Sequence, residues 1–114
     1  MSDCIFCKII NKEIPSEIIY EDDKVIAFKD VNPQSPIHVL VIPKEHIESA
    51  NDIDDVNSNL ISHIFLTIKD LAKELGIDRE GYRIVNNCGE FGGQTVSHMH
   101  FHILGGRKFS WPPG

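Results

Sequence analysis

Near its C-terminal end the chain reads His98-Met99-His100-Phe101-His102-Ile103-Leu104, and this strict alternation of histidine with apolar side chains limits the fold more than any other feature. Successive side chains of a strand point to opposite faces, so the spacing predicts a strand with three imidazoles on one face and Met99, Phe101 and Ile103 on the other. The apolar face needs a core to bury it, which leaves the histidines on the side away from that core. At a frequency of 6 histidines in 114 residues, such a triplet is expected by chance about 0.02 times. Imidazoles on a merely solvated sheet face gain nothing from packing, so the triplet is read as chemistry.

Two chemistries compete. Residues i and i+2 of a strand can ligate one ion, which would make His98, His100 and His102 a three-histidine zinc site with water in the fourth position. Alternatively His100 is itself a nucleophile, a neutral imidazole with one nitrogen free and the other N–H held by an acceptor, oriented by a second imidazole such as His38. The segment Gly92-Gly93-Gln94-Thr95 decides between them. Glycines let the main chain approach a ligand closely, so consecutive N–H groups can converge on a phosphate while the Thr95 hydroxyl adds a donor. A phosphate cradle a few residues before a histidine nucleophile points to phosphoryl or nucleotidyl transfer. Without the histidines, a Gly-rich hairpin turn would explain the segment as well.

The remaining chain frames this strand. Ile5, Phe6, Ile9 and Ile10 recur at helical spacing before Asn11 and Pro15, predicting a short N-terminal helix. Residues 17–20, 24–29 and 38–42 are β-branched and aromatic runs separated by Glu21-Asp22-Asp23 and by a Pro-bounded loop, Asn32 to Pro36. Leu60, Ile64, Ile68, Leu71 and Leu75 share one face of a helix over 59–75, with Gly76 as its stop. His63 lies one position off that face and is read as a boundary residue, and Asp52, Asp54 and Asp55 suit the helix N-terminus. Residues 82–85 form one more strand before 98–104. The expectation is an α+β domain built on an antiparallel sheet of about five strands, with one long and one short helix, spanning 1–114 as a single unit.

Composition removes several function classes. Eleven basic against seventeen acidic residues give a net charge of −6, which argues against nucleic acid as a partner. No apolar run reaches the ~18 to 20 residues of a membrane-spanning helix and no signal peptide is evident, so no membrane partner and a cytoplasmic location are expected. Three cysteines make a disulfide framework a poor reading, leaving Cys4 and Cys7 as metal ligands, buried thiols or redox groups, and Cys88 without a partner.

The run from His98 to Leu104 matches the signature of the histidine-triad (HIT) superfamily. The chain resembles its Hint branch, the histidine-triad nucleotide-binding proteins, at Ile5-Phe6-Cys7-Lys8-Ile9-Ile10, Lys12-Glu13-Ile14-Pro15, Pro36-Ile37-His38, Val41-Ile42-Pro43-Lys44, Gly92-Gly93-Gln94, Leu104-Gly105-Gly106-Arg107 and Trp111-Pro112-Pro113-Gly114. The resemblance implies the HIT-like fold, a homodimer, and a hydrolase that cleaves the P–N bond of purine nucleoside 5′-phosphoramidates (AMP or GMP type) through a nucleotidyl-histidine. It makes His100 the nucleophile and His102 and His38 the histidines that orient it, and puts His98 and Thr95 near the leaving group and bridging atom. Asp30 corresponds to the ribose-binding carboxylate, and Phe6, Ile9, Phe28, Val31 and Leu40 to the base slot. Asn87 and Gly93 correspond to further nucleotide contacts, and Trp111 to the residue that approaches the partner's site. No metal is implied for catalysis, but bacterial members combine Cys4, Cys7, His46 and His98 equivalents in a structural zinc site.

Each assignment has a plainer counterpart. The apolar five could be ordinary core, Asp30 could start a turn, and Trp111 could cap an exposed tail. A dinucleoside polyphosphate hydrolase would use the same nucleophile, and a non-catalytic nucleotide-binding regulator would use the same pocket. Phe91, the Asn86-Asn87-Cys88 stretch and Thr95 in place of serine depart from the commonest Hint pattern without touching the triad.

Overall fold

The computed structural model describes residues 3–114, beginning with a six-residue helix, α1 (Ile5–Ile10), whose first turn is capped by the Cys4 thiol 3.3 Å from the Cys7 N–H. Phe6 and Ile9 are its buried residues, and Lys12 then takes a left-handed turn that carries the chain away. Three strands follow: β1 (Ile18–Glu21), β2 (Val25–Lys29) and β3 (Ile37–Pro43). A 3-10 turn (Ala50–Asp52) leads to the long helix α2 (Ser58–Glu74), and β4 (Arg83–Val85) and β5 (Phe101–Gly105) complete the sheet. Its order is β1-β2-β3-β5-β4, and its five antiparallel strands are what the strand and helix patterns predict.

The sheet separates two apolar clusters. On one face α2 lays Ile64, Ile68, Leu71 and Ala72 against Val25, Ala27, Val39, Val41, Phe101 and Ile103. Each large side chain buried there contributes about 1.5–3 kcal/mol relative to exposure. On the other face α1 packs Phe6 and Ile9 against Ile26, Phe28, Leu40 and Ile42. Strand β3 is therefore covered on both sides, which explains its nearly unbroken apolar sequence.

Two local expectations need correction. The strand predicted from His98 begins at Phe101, because β3 offers its last ladder partner to β5 at Val41. Upstream of that point the chain is held differently: the Met99 N–H donates to the Ile47 carbonyl at 2.6 Å. The alternation survives without the ladder, since Met99 joins Phe101 and Ile103 in the α2 cluster. The acidic run does not cap α2. Asp52 closes a capping box with Ser49 on the 3-10 turn, and Asp54 exchanges hydrogen bonds with Asn57 just ahead of the helix. His63 lies with Nε2 2.7 Å from Asp22 Oδ2, tying α2 to the β1–β2 turn. No helix among the described residues is long and apolar enough to cross a membrane.

Candidate active site

On the α1 face the protons of three imidazoles follow from partners that can only donate or only accept. His100 Nδ1 lies 2.8 Å from the His98 main-chain carbonyl, so it carries the proton and Nε2 keeps a free lone pair. The Gln34 main-chain N–H donates to His38 Nδ1 at 3.0 Å, so the His38 proton sits on Nε2, which faces His102 Nδ1 at 2.9 Å. His102 in turn keeps its proton on Nε2. Strand register makes the chain of rings: His102 is opposite Leu40 and His38 is opposite Leu104, which places the two imidazoles diagonally on one face with centroids 5.1 Å apart.

Burial favours the neutral form of His38 and His102. His102 is pushed down to about 4, first by burial and then by the neighbouring His100 and His38. Burial also lowers His38, opposed by the Asp30 carboxylate, whose Oδ2 is 3.4 Å from Nε2. The other Asp30 oxygen accepts the Asn32 N–H at 2.8 Å, so this residue does serve the turn its sequence context allows.

His100 and His102 border a cavity of about 340 Å³. Phe6, Ile9, Phe28 and Leu40 supply its apolar lining, Val31 its exposed rim, and Asp30 and Thr95 its polar groups. Five expected residues lie elsewhere. His38 stands one layer back, acting on His102. Asn87 donates its side-chain amide to the Gly92 carbonyl at 2.7 Å and so braces the glycine loop. The Gly93 N–H, expected to face a phosphate, donates to the Glu90 carbonyl at 3.0 Å, and the Gln94 N–H to Gly89 at 3.1 Å. The loop thus closes on itself, with Gly93 at φ 83° and Gly92 so tight that a Cβ would meet the Cys88 main chain. Trp111 is 82% exposed on a tail whose Phe109 ring is contacted by the guanidinium groups of both Arg107 and Arg83, with Arg83 also donating to the Ser110 carbonyl at 2.8 Å.

His98 is the fifth. Its side chain is fully buried, with Nε2 2.8 Å from the Pro43 carbonyl and Nδ1 turned to the cysteines, so it has no face toward a leaving group. Cys4 Sγ, Cys7 Sγ, His46 Nδ1 and His98 Nδ1 all lie within 4.8 Å of one another. The separations are 3.1 Å between the two nitrogens and 3.3, 3.3 and 3.7 Å for three of the sulfur–nitrogen pairs. Tetrahedral zinc bonds of ~2.0–2.1 Å to nitrogen and ~2.3 Å to sulfur require donors roughly 3.3–3.8 Å apart. The side chains present therefore fit such an ion, and the Pro43 carbonyl fixes the His98 tautomer that leaves Nδ1 available.

Sequence reasoning passed over Ile5, Ile14, Pro15, Ser16, Lys29 and Val96, which also border the cavity. Ile14 and Pro15 stand in the sequence as a family motif just after the short helix, without a signal that they border a cavity. Gln34 left no signal at all, because its main chain does the work.

The sequence model of the HIT domain matches residues 11–109. An uncharacterised HIT-like protein of Synechococcus elongatus is 52% identical over 112 residues, covering 98% of this chain and 97% of the relative. Among solved structures, a HIT family hydrolase from Legionella pneumophila superposes with a TM-score of 0.96 at 48% identity, over 97% of this chain and 99% of that one. A histidine triad protein from Clostridium difficile gives 0.93 at 54%, over 96% of each chain. Matched by the HIT domain model over residues 11–109 and superposing nearly end to end on these structures, the chain belongs to the HIT domain family.

Proposed function

We propose that this protein is a nucleotide-binding hydrolase of the Hint type, cleaving the P–N bond of purine nucleoside 5′-phosphoramidates through a nucleotidyl-histidine. The observation that carries the reading is the His100 tautomer: Nδ1–H spent on the His98 carbonyl, and a free Nε2 on a ring that borders an apolar-walled cavity. A purine ring matches the Phe6, Phe28 and Leu40 surfaces, and the Asp30 carboxylate at the mouth suits the two donors of a ribose diol. A solved histidine triad nucleotide-binding protein from Candida albicans has the same fold at a TM-score of 0.82 and 37% identity, over 96% of this chain and 82% of that one.

In the first step His100 Nε2 attacks phosphorus, the P–N bond breaks, and the departing amine takes a proton from solvent at the cavity mouth. In the second, water attacks phosphorus from the side the amine left, the Nε2–P bond breaks, and the water's proton passes to solvent, restoring neutral His100. His102 Nε2–H and the Thr95 hydroxyl are the donors available to the phosphoryl oxygens in both transition states. His38 keeps His102 in that tautomer.

Cys4, Cys7, His46 and His98 are proposed to hold a structural zinc ion, which when bound supplies a fixed cross-link between α1, the loop after β3 and the segment before β5. A symmetric homodimer is proposed from the outer edge of β4, which has no strand partner among the described residues, and from exposed Phe65 and Leu66 on α2.

The test is hydrolysis of adenosine 5′-phosphoramidate by wild type and His100→Ala, each with and without a zinc chelator, with acid-quenched samples assayed for nucleotidylated protein. Wild type should turn over and carry label while the variant loses at least about a thousandfold in kcat/KM. Wild-type protein that binds AMP but neither turns over nor labels would leave a regulatory binding protein instead.

A further inference from the structure

His98 takes part in two arrangements at once. Its ring nitrogen Nδ1 sits among Cys4, Cys7 and His46, while its main-chain carbonyl receives the Nδ1–H of His100 at 2.8 Å. The ring has no exposed surface, and its Nε2 is committed to the Pro43 carbonyl, so it cannot turn without leaving a buried polar group unpaired. The carbonyl that aims His100 thus belongs to a residue whose side chain is fixed at both nitrogens.

A second link runs through α1. Phe6, between the two cysteines in sequence, meets the His98 ring edge-on at 5.8 Å and the His100 ring at 5.1 Å. With Ile5 and Ile9 it also forms the helix side of the cavity. A helix of six residues has little stability of its own, and the cap of this one is the Cys4 thiol. Whatever fixes Cys4 and Cys7 therefore fixes one wall of the cavity as well as the residue that orients His100.

We propose that His98 is a positioning residue through which the Cys4–Cys7–His46–His98 centre, loaded with zinc, holds the α1 wall and aims His100 Nε2, so that nucleotide affinity and nucleophile orientation follow metal occupancy. The inference rests on the reading of the cavity as a nucleotide site and of the four side chains as zinc ligands. It assigns the centre a role in the reaction although the centre lies outside the cavity and no zinc-bound atom reacts.

The experiment compares full-length protein as loaded with zinc, stripped by a strong chelator, and reloaded, alongside Cys7→Ser. Four quantities are read: zinc per chain, the Kd for AMP by calorimetry, the His100 Nδ1–H resonance by NMR, and the far-ultraviolet circular dichroism as a check on folding. One zinc per chain is expected. Stripping should weaken AMP binding by about tenfold and broaden or shift the His100 resonance, both reversed on reloading, with Cys7→Ser resembling the stripped protein. Reversal on reloading separates this effect from irreversible unfolding, which would leave both readouts altered and overturn the proposal. An unchanged Kd and resonance after verified stripping would overturn it while leaving zinc and nucleotide sites in place. Absence of zinc in every sample would overturn it together with the ligand reading. If AMP bound to no sample, the nucleotide reading would fall, and the resonance alone would decide whether metal orients His100.

Discussion

The proton on His100 is placed by a carbonyl two residues away, and the proton on His102 by a main-chain N–H sixty-eight positions earlier, at Gln34. The side chains alone offer three equivalent rings, and only the folded main chain makes one a nucleophile and another a donor. The same neutrality has a cost in acid. His102, with His38, His100 and Asp30 around it, has its value lowered from 6.5 to about 4 on folding. The unfolded chain then binds more protons than the folded one between those limits. Stability from this group is complete above about pH 6.5, declines as pH falls, and is gone below about 4. Urea midpoints measured from pH 7 to 4 should fall, and His102→Asn should show a shallower fall over that window. Equal slopes in both proteins would show that the acid sensitivity arises elsewhere.

At the scale of elements, α2 was legible because its apolar positions recur every three or four residues and its stop is a glycine at φ 75°. Strands β1 to β3 were legible as β-branched runs between turn signals. The start of β5 was not, because its ladder with β3 stops at Val41, two residues before β3 itself ends, and Met99 bonds instead to Ile47 in a loop that no local pattern announces. The self-closing glycine loop escaped for a related reason: glycines permit a phosphate cradle and a tight turn equally, and the Gly89, Glu90 and Asn87 bonds choose the turn. The helix and the cavity lie on opposite faces of the sheet, so damage to one should spare the other. Ile68→Ala removes a buried side chain from the α2 face and should cost about 2–5 kcal/mol in urea denaturation. Its kcat/KM per folded molecule should stay within about twofold, within the variation common among distant independent sites. A large loss in kcat/KM with the fold intact would show that α2 does reach the chemistry.

Across the whole molecule, Arg83, Phe109 and Arg107 fasten the last segment to the outer strand β4, so the tail that carries Trp111 is held at the same edge the dimer reading uses. Joining two such edges would bring Trp111 near a second copy and cover apolar surface on α2. Light scattering should give the mass of two chains, and Leu66→Asp, which sets a charge on the exposed helix face, should weaken association by more than about tenfold. A monomeric wild type at micromolar concentration would remove the dimer and, with it, any role for Trp111 at a second site. The three strands that build the cavity also share a numbering that neither cluster reveals alone. Even-numbered residues Ile26, Phe28, His38, Leu40, His100 and His102 lie on the α1 face, while odd-numbered Val25, Ala27, Val39, Val41, Phe101 and Ile103 lie in the α2 cluster. Stability and chemistry are thus interleaved residue by residue in one reading frame. Substitutions can vary either set separately, but a single inserted or deleted residue within β2, β3 or β5 exchanges the two sets downstream along that strand. An insertion or deletion that spares both sets must therefore fall in a loop.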